Sequence, residues 1–207
     1  FFYQSWLAAL IFWKVYQAGG LVLTFFLRAL IIAVTYVLLW LLIKNAGAGT
    51  RLASLLILLS ALAGSSNWSF RPQLFTYPLF ILALYVFSKW AQGKNQSLWL
   101  LPILSTLWVN LHGSFPLLFI LGIFYFVFGH GDKKYLAIVL GISFIALFVN
   151  PHGINVFGYV LNMLSSPSNQ LYSIEWLPMV NRGWQANLFF MWLLLFIPLA
   201  AMSPRKL

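Results

Sequence analysis

The chain has 207 residues, of which 62% are hydrophobic, 19% are aromatic and only 7% are charged. Soluble domains carry about 25% charged residues, so this composition excludes an ordinary soluble domain. The formal net charge is +10, but the twelve Lys and Arg residues are scattered in pairs, which excludes a nucleic-acid-binding stripe. Cysteine is absent, and three histidines with two acids are too few for most hydrolytic or metal sites, so we assign no metal and no resident cofactor.

The apolar runs, taken in chain order, predict an all-α fold, namely a polytopic transmembrane helix bundle. A bilayer span needs roughly 20 apolar residues, and about seven spans fit the chain even though several runs are shorter than this. The predicted spans cover residues 21–43, 51–65, 72–90, 97–110, 115–129, 135–149 and 186–202. We interpret residues 1–207 as a single transmembrane domain. Because the chain begins at Phe1 without a Met or a basic leader, we expect a segment of a longer or processed protein.

Two further stretches, residues 5–17 and 153–165, mix apolar and polar residues and are predicted to be interfacial helices. The first stretch ends at Gly19 and Gly20, a helix-stop signal. An eighth span is the alternative for this stretch. Residues 153–165 are followed by the turn-rich sequence SSPSNQ, which favours a helix that lies on the membrane surface.

Several residues are interpreted as anchors at the membrane boundary. Arg28 lies seven residues into the first long run, about 10 Å along a helix. Burial of an Arg at mid-bilayer would cost about 2.5–3.5 kcal/mol, so we expect its side chain to snorkel towards the boundary. The tryptophans near predicted span ends, among them Trp90 and Trp108, are interpreted as an aromatic belt.

The basic residues alternate between loops in a way that predicts membrane orientation. Eight of the twelve fall in every second loop: Lys44, Arg51, Lys89, Lys94, Lys133, Lys134, Arg205 and Lys206. Cytoplasmic loops carry an excess of Lys and Arg, so these loops and the C-terminus are predicted to be cytoplasmic. The predicted location is the inner (plasma) membrane, with the remaining loops facing the periplasm or exterior.

Polar residues of uncommon kind gather in the loops predicted to face outwards. The segments TLWVNLHGSF (106–115) and LFVNPHGINVF (147–157) share the pattern V-N-x-H-G, forty residues apart. One membrane hairpin separates the two copies, so both are predicted to return to the same side. The pattern has two interpretations. It can end a helix, because Asn and Gly tolerate positive φ and His favours the helix C-terminus.

The second interpretation is a cavity on the outer side for an anionic or hydroxyl-rich ligand. Arg side chains match phosphate oxygens, and Asn and His supply directional hydrogen bonds to phosphate or sugar. The candidate substrate-binding residues are Arg71, Asn110, His112, Asn150, His152 and Arg182. Glu175 is either an interfacial acid near Arg182 or a candidate base.

An ordered string of motifs carries a family resemblance over most of residues 4–180. The motifs are YQSWLAAL near the start, then RPQLFTYPLF, LWLLPILSTLWVNLHGSF, NPHGINVF and SIEWLP. Together they resemble the bacterial C-type membrane glycosyltransferases, which depend on lipid-linked sugars and include protein mannosyltransferase and aminoarabinose transferase. The resemblance implies transfer of a sugar from a polyprenyl-phosphate carrier, the donor, to an acceptor at the outer face of the membrane.

The sequence departs from that family where the resemblance implies a catalytic acid. Enzymes of this kind use an acid in the first outer loop, and related sequences carry a His-Glu pair where this chain has Gln4 and Ser5. No acid precedes Asp132. Either the catalytic loop lies upstream of Phe1 or the chain has lost catalysis, so whether it is an enzyme stays open.

A second hypothesis makes the chain a non-catalytic integral membrane subunit of a respiratory or photosynthetic complex. The scarcity of acids and the Phe-rich surface motivate it, and His112 or His152 would then be able to ligate a pigment or haem. Its partners would be other membrane subunits, whereas those of the first hypothesis are membrane lipids and the lipid-linked sugar. A transporter has less support, since only Arg28 is an intramembrane ionisable residue.

Overall fold

The computed structural model describes residues 4–167, 171 and 183–202, and the all-α prediction is confirmed there, with no strand among these residues. The helices are α1 (Trp6–Asn45), α2 (Thr50–Gly64), α3 (Thr76–Ala91), α4 (Leu100–Leu111), α5 (Pro116–Phe128), α6 (Lys133–Ala146), α7 (Asn155–Ser165) and α8 (Trp184–Ala201). Short 3-10 turns at Ser65–Asn67, Pro72–Phe75 and Asn95–Trp99 lie between them. Each predicted apolar run thus coincides with a helix.

Helix α1 is broken where the sequence predicts a helix stop. Gly19 has φ −156° and Gly20 has φ +58°, so neither residue is helical. Only glycine adopts the left-handed region at little cost, which explains why the chain turns at Gly20. The break divides α1 into a first segment, residues 6–18, and a second segment, residues 21–45.

Local signals fix the starts of three elements. Pro72 and Pro116 occupy the first turns of the 3-10 turn and of α5, where a missing backbone N–H costs nothing. Asp132 is the N-cap of α6, and its carboxylate accepts a hydrogen bond of 3.0 Å from the Tyr135 amide. An Asp side chain at this position satisfies a backbone N–H of the first turn and so stabilises the start of the helix.

The three cationic loops within the described part of the chain lie together at what we call the basic end of the bundle. Asn45 Nδ2 donates to Ser88 Oγ at 3.1 Å, which joins the ends of α1 and α3. Trp90 Nε1 donates to the Asp132 carbonyl at 3.2 Å, which brings the start of α6 to the same place. The residues Lys44, Lys89 and Lys133 adjoin these contacts in the sequence.

The opposite ends of α3, α4 and α6 meet at what we call the polar end. Thr76 Oγ1 and Ser114 Oγ lie 3.0 Å apart, and Asn110 Nδ2 donates to the Val149 carbonyl at 2.8 Å. The second contact joins the two copies of V-N-x-H-G, so they lie at the same end, as predicted. Helix α3 runs from Thr76 at the polar end to Ser88 at the basic end.

The core lies among α3, α4, α5 and α6 and contains two tryptophans that were predicted to be interfacial. Trp90 and Trp108 are both 0% exposed. The Trp108 indole donates to Ser114 Oγ at 3.0 Å, while Trp90 donates to the Asp132 carbonyl. The belt prediction is wrong for these two residues, because each buried indole N–H has a polar partner inside the protein.

Two helical stretches in the described part of the chain are long and apolar enough to cross a membrane, Trp6–Asn45 and Pro72–Ala91. Pro116–Phe128 and Trp184–Leu199 are apolar but shorter. Helices α2 and α4 have 15 and 12 residues, which corresponds to roughly 18–22 Å at 1.5 Å per residue. The seven predicted spans are therefore not established by helix length.

Candidate functional site

Two of the predicted site residues, Glu175 and Arg182, lie outside the described residues. Four others, Asn110, His112, Asn150 and His152, lie at the polar end. Arg71 is exposed and precedes the 3-10 turn Pro72–Phe75 in extended conformation. The structure thus gathers most of the predicted set, but its members have different surroundings.

Asn110 connects three segments of the chain. Its amide Nδ2 donates to the carbonyls of Thr106 and Val149 at 2.7 and 2.8 Å, and its Oδ1 accepts from Trp6 Nε1 at 2.8 Å. Both amide hydrogens are used, and the side chain is only 5% exposed. Asn110 therefore connects α1, α4 and the segment after α6 by hydrogen bonds, which is a structural role.

Asn150 and His152 form a local turn. Asn150 Oδ1 accepts from the His152 amide at 2.7 Å, and Asn150 Nδ2 donates to the Leu147 carbonyl at 2.6 Å. Gly153 has φ +52°, as the helix-ending interpretation of V-N-x-H-G requires. In the first copy Gly113 has no positive φ and His112 is extended, with φ −159°. The two copies share a pattern but differ in backbone conformation.

The hydrogen bonds around His112 determine which ring nitrogen carries the proton. The Ser114 amide donates to His112 Nδ1 at 3.2 Å, so Nδ1 is an acceptor and the neutral ring carries its proton on Nε2. Ser114 Oγ lies 2.8 Å from the same Nδ1 and accepts the Trp108 indole N–H at 3.0 Å. The arrangement leaves Nε2–H as the donor that His112 can offer to a ligand.

Burial also lowers the pKa of His112 below its usual value of 6.5. Loss of hydration disfavours the imidazolium, and protonation of Nδ1 would break its bond from the Ser114 amide. His112 is therefore neutral at pH 7 and is a hydrogen-bond donor there, which suits an oxygen atom of a bound group.

His112 lines a cavity of about 210 Å³ at the polar end. The polar side chains of its lining are those of Gln4, Ser5, His112, Ser114 and Tyr159, and Val160, Met163 and Leu164 contribute to the apolar wall. Gln4 Nε2 donates to the Val109 carbonyl, and Ser5 Oγ donates to Gln4 Oε1 at 3.2 Å. The N–H group of Gln4 and the hydroxyl hydrogen of Ser5 are thus already used, and their oxygen atoms remain as hydrogen-bond acceptors. The polar wall therefore offers both acceptors and the His112 donor. A hydroxyl group, which both donates and accepts, matches such a wall better than a phosphate does.

A second concavity, the groove, has a volume of about 450 Å³ and lies among α1, α2, α3 and α5. Most of its lining is apolar, and the lining residues are Ile32, Thr35, Tyr36, Leu39, Ser60, Gly64, Asn67, Trp68, Thr76, Tyr77, Phe80, Ile81 and Leu117. Its size falls within the range of about 300–1,000 Å³ that is typical of ligand sites. The groove suits a long apolar chain.

Polar contacts occur within the lining of the groove. Tyr77 Oη donates to the Asn67 carbonyl at 3.2 Å, and Tyr36 Oη donates to the Ser60 carbonyl at 3.4 Å. A Cβ atom at Gly64 would lie 3.0 Å from Tyr36 Oη. The absence of a side chain at Gly64 therefore keeps this part of the groove open.

The groove and the cavity meet at one hydrogen bond. Thr76 lines the groove, Ser114 lines the cavity, and their hydroxyl oxygens are 3.0 Å apart. Thr76 and Ser114 were not among the residues predicted from the sequence, in which Gln4 and Ser5 stand out only as positions where an acid is lacking. Thr76 begins α3 and Ser114 lies in the turn before α5, and no sequence signal separates them from the other Ser and Thr residues of the chain.

Among the described residues, no group of three or more His, Cys, Asp or Glu side chains is placed to hold a metal ion. Comparisons with protein-family models, with curated proteins and with solved structures find no match for this chain.

Proposed function

We propose that the chain is a polytopic inner-membrane protein of about seven spans with interfacial helices. Large apolar side chains that point away from the core support this, for example Val22 at 82% exposed and Leu194 at 73%. Such surfaces are unstable in water and suit lipid. With the basic end in the cytoplasm, the polar end faces the periplasm or exterior.

We propose further that the protein binds a polyprenyl-phosphate-linked sugar at the polar end. The isoprenoid chain lies in the groove, and the sugar hydroxyls lie in the cavity beside His112. The observation that carries this proposal is the contact of 3.0 Å between Thr76 and Ser114, which joins an apolar groove to a polar cavity. An amphiphile with a long chain and a hydroxylated head is complementary to both walls.

The reaction proposed for this site is glycosyl transfer, in keeping with the motif resemblance. An acceptor hydroxyl attacks the anomeric carbon, its proton passes to a base, and the carrier leaves as polyprenyl phosphate. His112 is poorly suited to be that base, because burial lowers its pKa and its Nδ1 is already occupied. Glu175 remains the candidate base within this chain, and its place lies outside the described residues.

The proposal is tested by blocking the groove. Gly64→Leu would place a side chain against Tyr36, so we expect it to weaken binding of a polyprenol and of its phosphate at least tenfold, that is, by about 1.4 kcal/mol or more. Native mass spectrometry of the detergent-purified protein, titrated with each lipid, measures this directly.

Gly141→Leu is the matched control. Gly141 lies on α6, and a Cβ there would meet nothing within 4 Å. The Gly141→Leu protein should bind both lipids as the wild type does. Equal binding by the Gly64→Leu protein, or no binding of either lipid by the wild type, would contradict the proposed function.

A further inference from the structure

A further cavity, which we call the α8 cavity, lies beside the groove. It has a volume of about 690 Å³ and lies among α1, α2, α8 and the 3-10 turn Ser65–Asn67. On α2 its lining extends from Leu56 to Gly64, which is about 12 Å along the helix. The residues that line both the α8 cavity and the groove are Leu39, Ser60, Gly64 and Asn67. The α8 cavity is therefore a second elongated space, which the proposed function does not use.

The α8 cavity is polar at one end and mainly apolar elsewhere. Ser66 and Asn67 follow α2 at the polar end, where the Tyr77 hydroxyl donates to the Asn67 carbonyl at 3.2 Å. Because the C-terminus is predicted to be cytoplasmic, α8 starts on the outer side, and Gln185 in its first turn belongs to the same end. Ile43 lines the cavity near the basic end. None of the described residues in the lining is charged, so the cavity suits apolar chains beneath an uncharged polar rim.

Trp192 gives the α8 cavity a hydrogen-bond donor whose acceptor is missing. The residue lies on α8 and lines the cavity. Its Nε1–H group is buried and has no hydrogen-bond partner in the part of the chain that the structure describes. Buried tryptophans usually pair this group, as Trp90 and Trp108 do in this chain. A buried donor without a partner is costly, so an acceptor on a molecule in the cavity would stabilise this arrangement.

A ligand that supplies this acceptor needs an oxygen atom between a polar head group and its apolar chains. Trp192 lies seven residues, or about 10 Å, along α8 from Gln185. Side chains of a helix lean towards its N-terminus, which brings the indole nearer to the level of Gln185. The ester carbonyls of a glycerophospholipid occupy this place in the molecule, between the phosphate and the acyl chains. A polyprenyl phosphate has no oxygen between its phosphate and its hydrocarbon chain, so it does not meet the requirement.

We propose that the α8 cavity binds a glycerophospholipid of the bilayer, with an ester carbonyl accepting the hydrogen bond from Trp192 Nε1. The acyl chains lie along Ile43, Leu56 and Phe189, and the head group lies at the rim beside Asn67. Phe189 is 38% exposed, so the cavity opens at the surface that faces lipid, and a lipid enters without crossing water. The inference rests on the proposed membrane insertion but not on binding of a lipid-linked sugar.

The test compares phosphatidylglycerol, which has ester-linked chains, with its ether-linked analogue of the same head group and chain length. The analogue lacks the carbonyl oxygens and is otherwise alike. We expect the wild-type protein to prefer the ester lipid by about 2- to 10-fold, the range typical of one hydrogen bond. Trp192→Phe keeps an aromatic ring in the cavity but removes the N–H donor, so it should bind both lipids equally. Native mass spectrometry of the detergent-purified protein gives both affinities.

Trp184→Phe is the matched control, because Trp184 lies on the same helix, is 52% exposed and does not line the cavity. The Trp184→Phe protein should keep the preference for the ester lipid. Equal binding of the two lipids by the wild type, or an unchanged preference in Trp192→Phe, overturns the inference. Displacement of phosphatidylglycerol by an equal concentration of polyprenyl phosphate would also overturn it, because the cavity would then be part of the carrier site. If polyprenyl lipids do not bind at all but the ester preference depends on Trp192, the inference stands and the proposed function falls.

Discussion

His112 gives the polar end a dependence on pH whose sign follows from its surroundings. Burial lowers the pKa of the folded imidazole, whereas the unfolded chain titrates near 6.5. Between these two values the unfolded state binds more protons, so the free energy of unfolding falls as the pH is lowered through 6.5. Above about pH 7.5 both states are neutral, and the contribution no longer changes with pH.

We therefore expect the thermal midpoint of the purified protein to decrease between pH 7.5 and 5.5, with a shallower decrease in His112→Gln. Glutamine cannot be protonated in this range but still offers an N–H group to the cavity. Thermal unfolding in a single detergent, followed by intrinsic tryptophan fluorescence, measures both slopes. Identical slopes for the two proteins would show that His112 is not the titrating group.

At the scale of single residues, the sequence predicts which residues lie at the polar end, but it does not predict what each of their side chains contacts. Asn110 and His112 are two positions apart and belong to the same motif, yet Asn110 ties helices together while His112 borders the cavity. The role of Asn110 depends on contacts with Trp6 and Val149, which are 104 and 39 residues away from it in the chain. Local patterns cannot specify such distant partners.

At the level of elements, the two asparagines of the repeated motif should differ in their importance for stability. Asn110→Ala leaves the Val149 carbonyl and the Trp6 indole without their partner, and each lost bond at a buried group costs about 1–3 kcal/mol. Asn150→Ala removes bonds that begin and end within one turn. A turn near the surface can exchange those bonds for water.

We predict that Asn110→Ala lowers the thermal midpoint clearly more than Asn150→Ala does. The measurement is thermal unfolding of both variants beside the wild type in the same detergent. Equal loss in the two variants would mean that the second motif also joins separate segments.

The helices were predictable because apolar runs, and the Gly and Pro residues that begin or break helices, are local features of the sequence. The break at Gly19 and Gly20, the starts at Pro72 and Pro116, and the boundaries of the apolar runs all follow from short-range chemistry. Burial of individual aromatic residues is not local. Trp90 and Trp108 stand near the ends of apolar runs, as interfacial residues do, but their neighbours in the fold place them in the core.

At the scale of the described molecule, the two ends of the helices differ in charge and in the cavities that they form. Six of the twelve Lys and Arg residues lie in the described loops that adjoin the contacts of Asn45 with Ser88 and of Trp90 with Asp132. The groove and the cavity meet at the opposite end. The distribution of Lys and Arg residues between alternate loops predicted that the two ends would differ, because each helix reverses the direction of the chain. The cavity itself could not be anticipated, since it is formed where the first residues of the chain meet the ends of α4 and α7.

The proposed orientation is open to labelling with single cysteines, because the chain contains none of its own. Ser69 precedes α3 beside the polar end, Gln96 lies between α3 and α4 at the basic end, and both are exposed. With the basic end in the cytoplasm, Ser69→Cys should react with an impermeant maleimide on intact spheroplasts and Gln96→Cys should react only after lysis. If both cysteines react before lysis, or if the pattern is reversed, the groove and its ligand cannot face the outer side. The proposal that the polar end binds a carrier-linked sugar at the outer face of the membrane would then be wrong, even if the protein binds polyprenyl lipids.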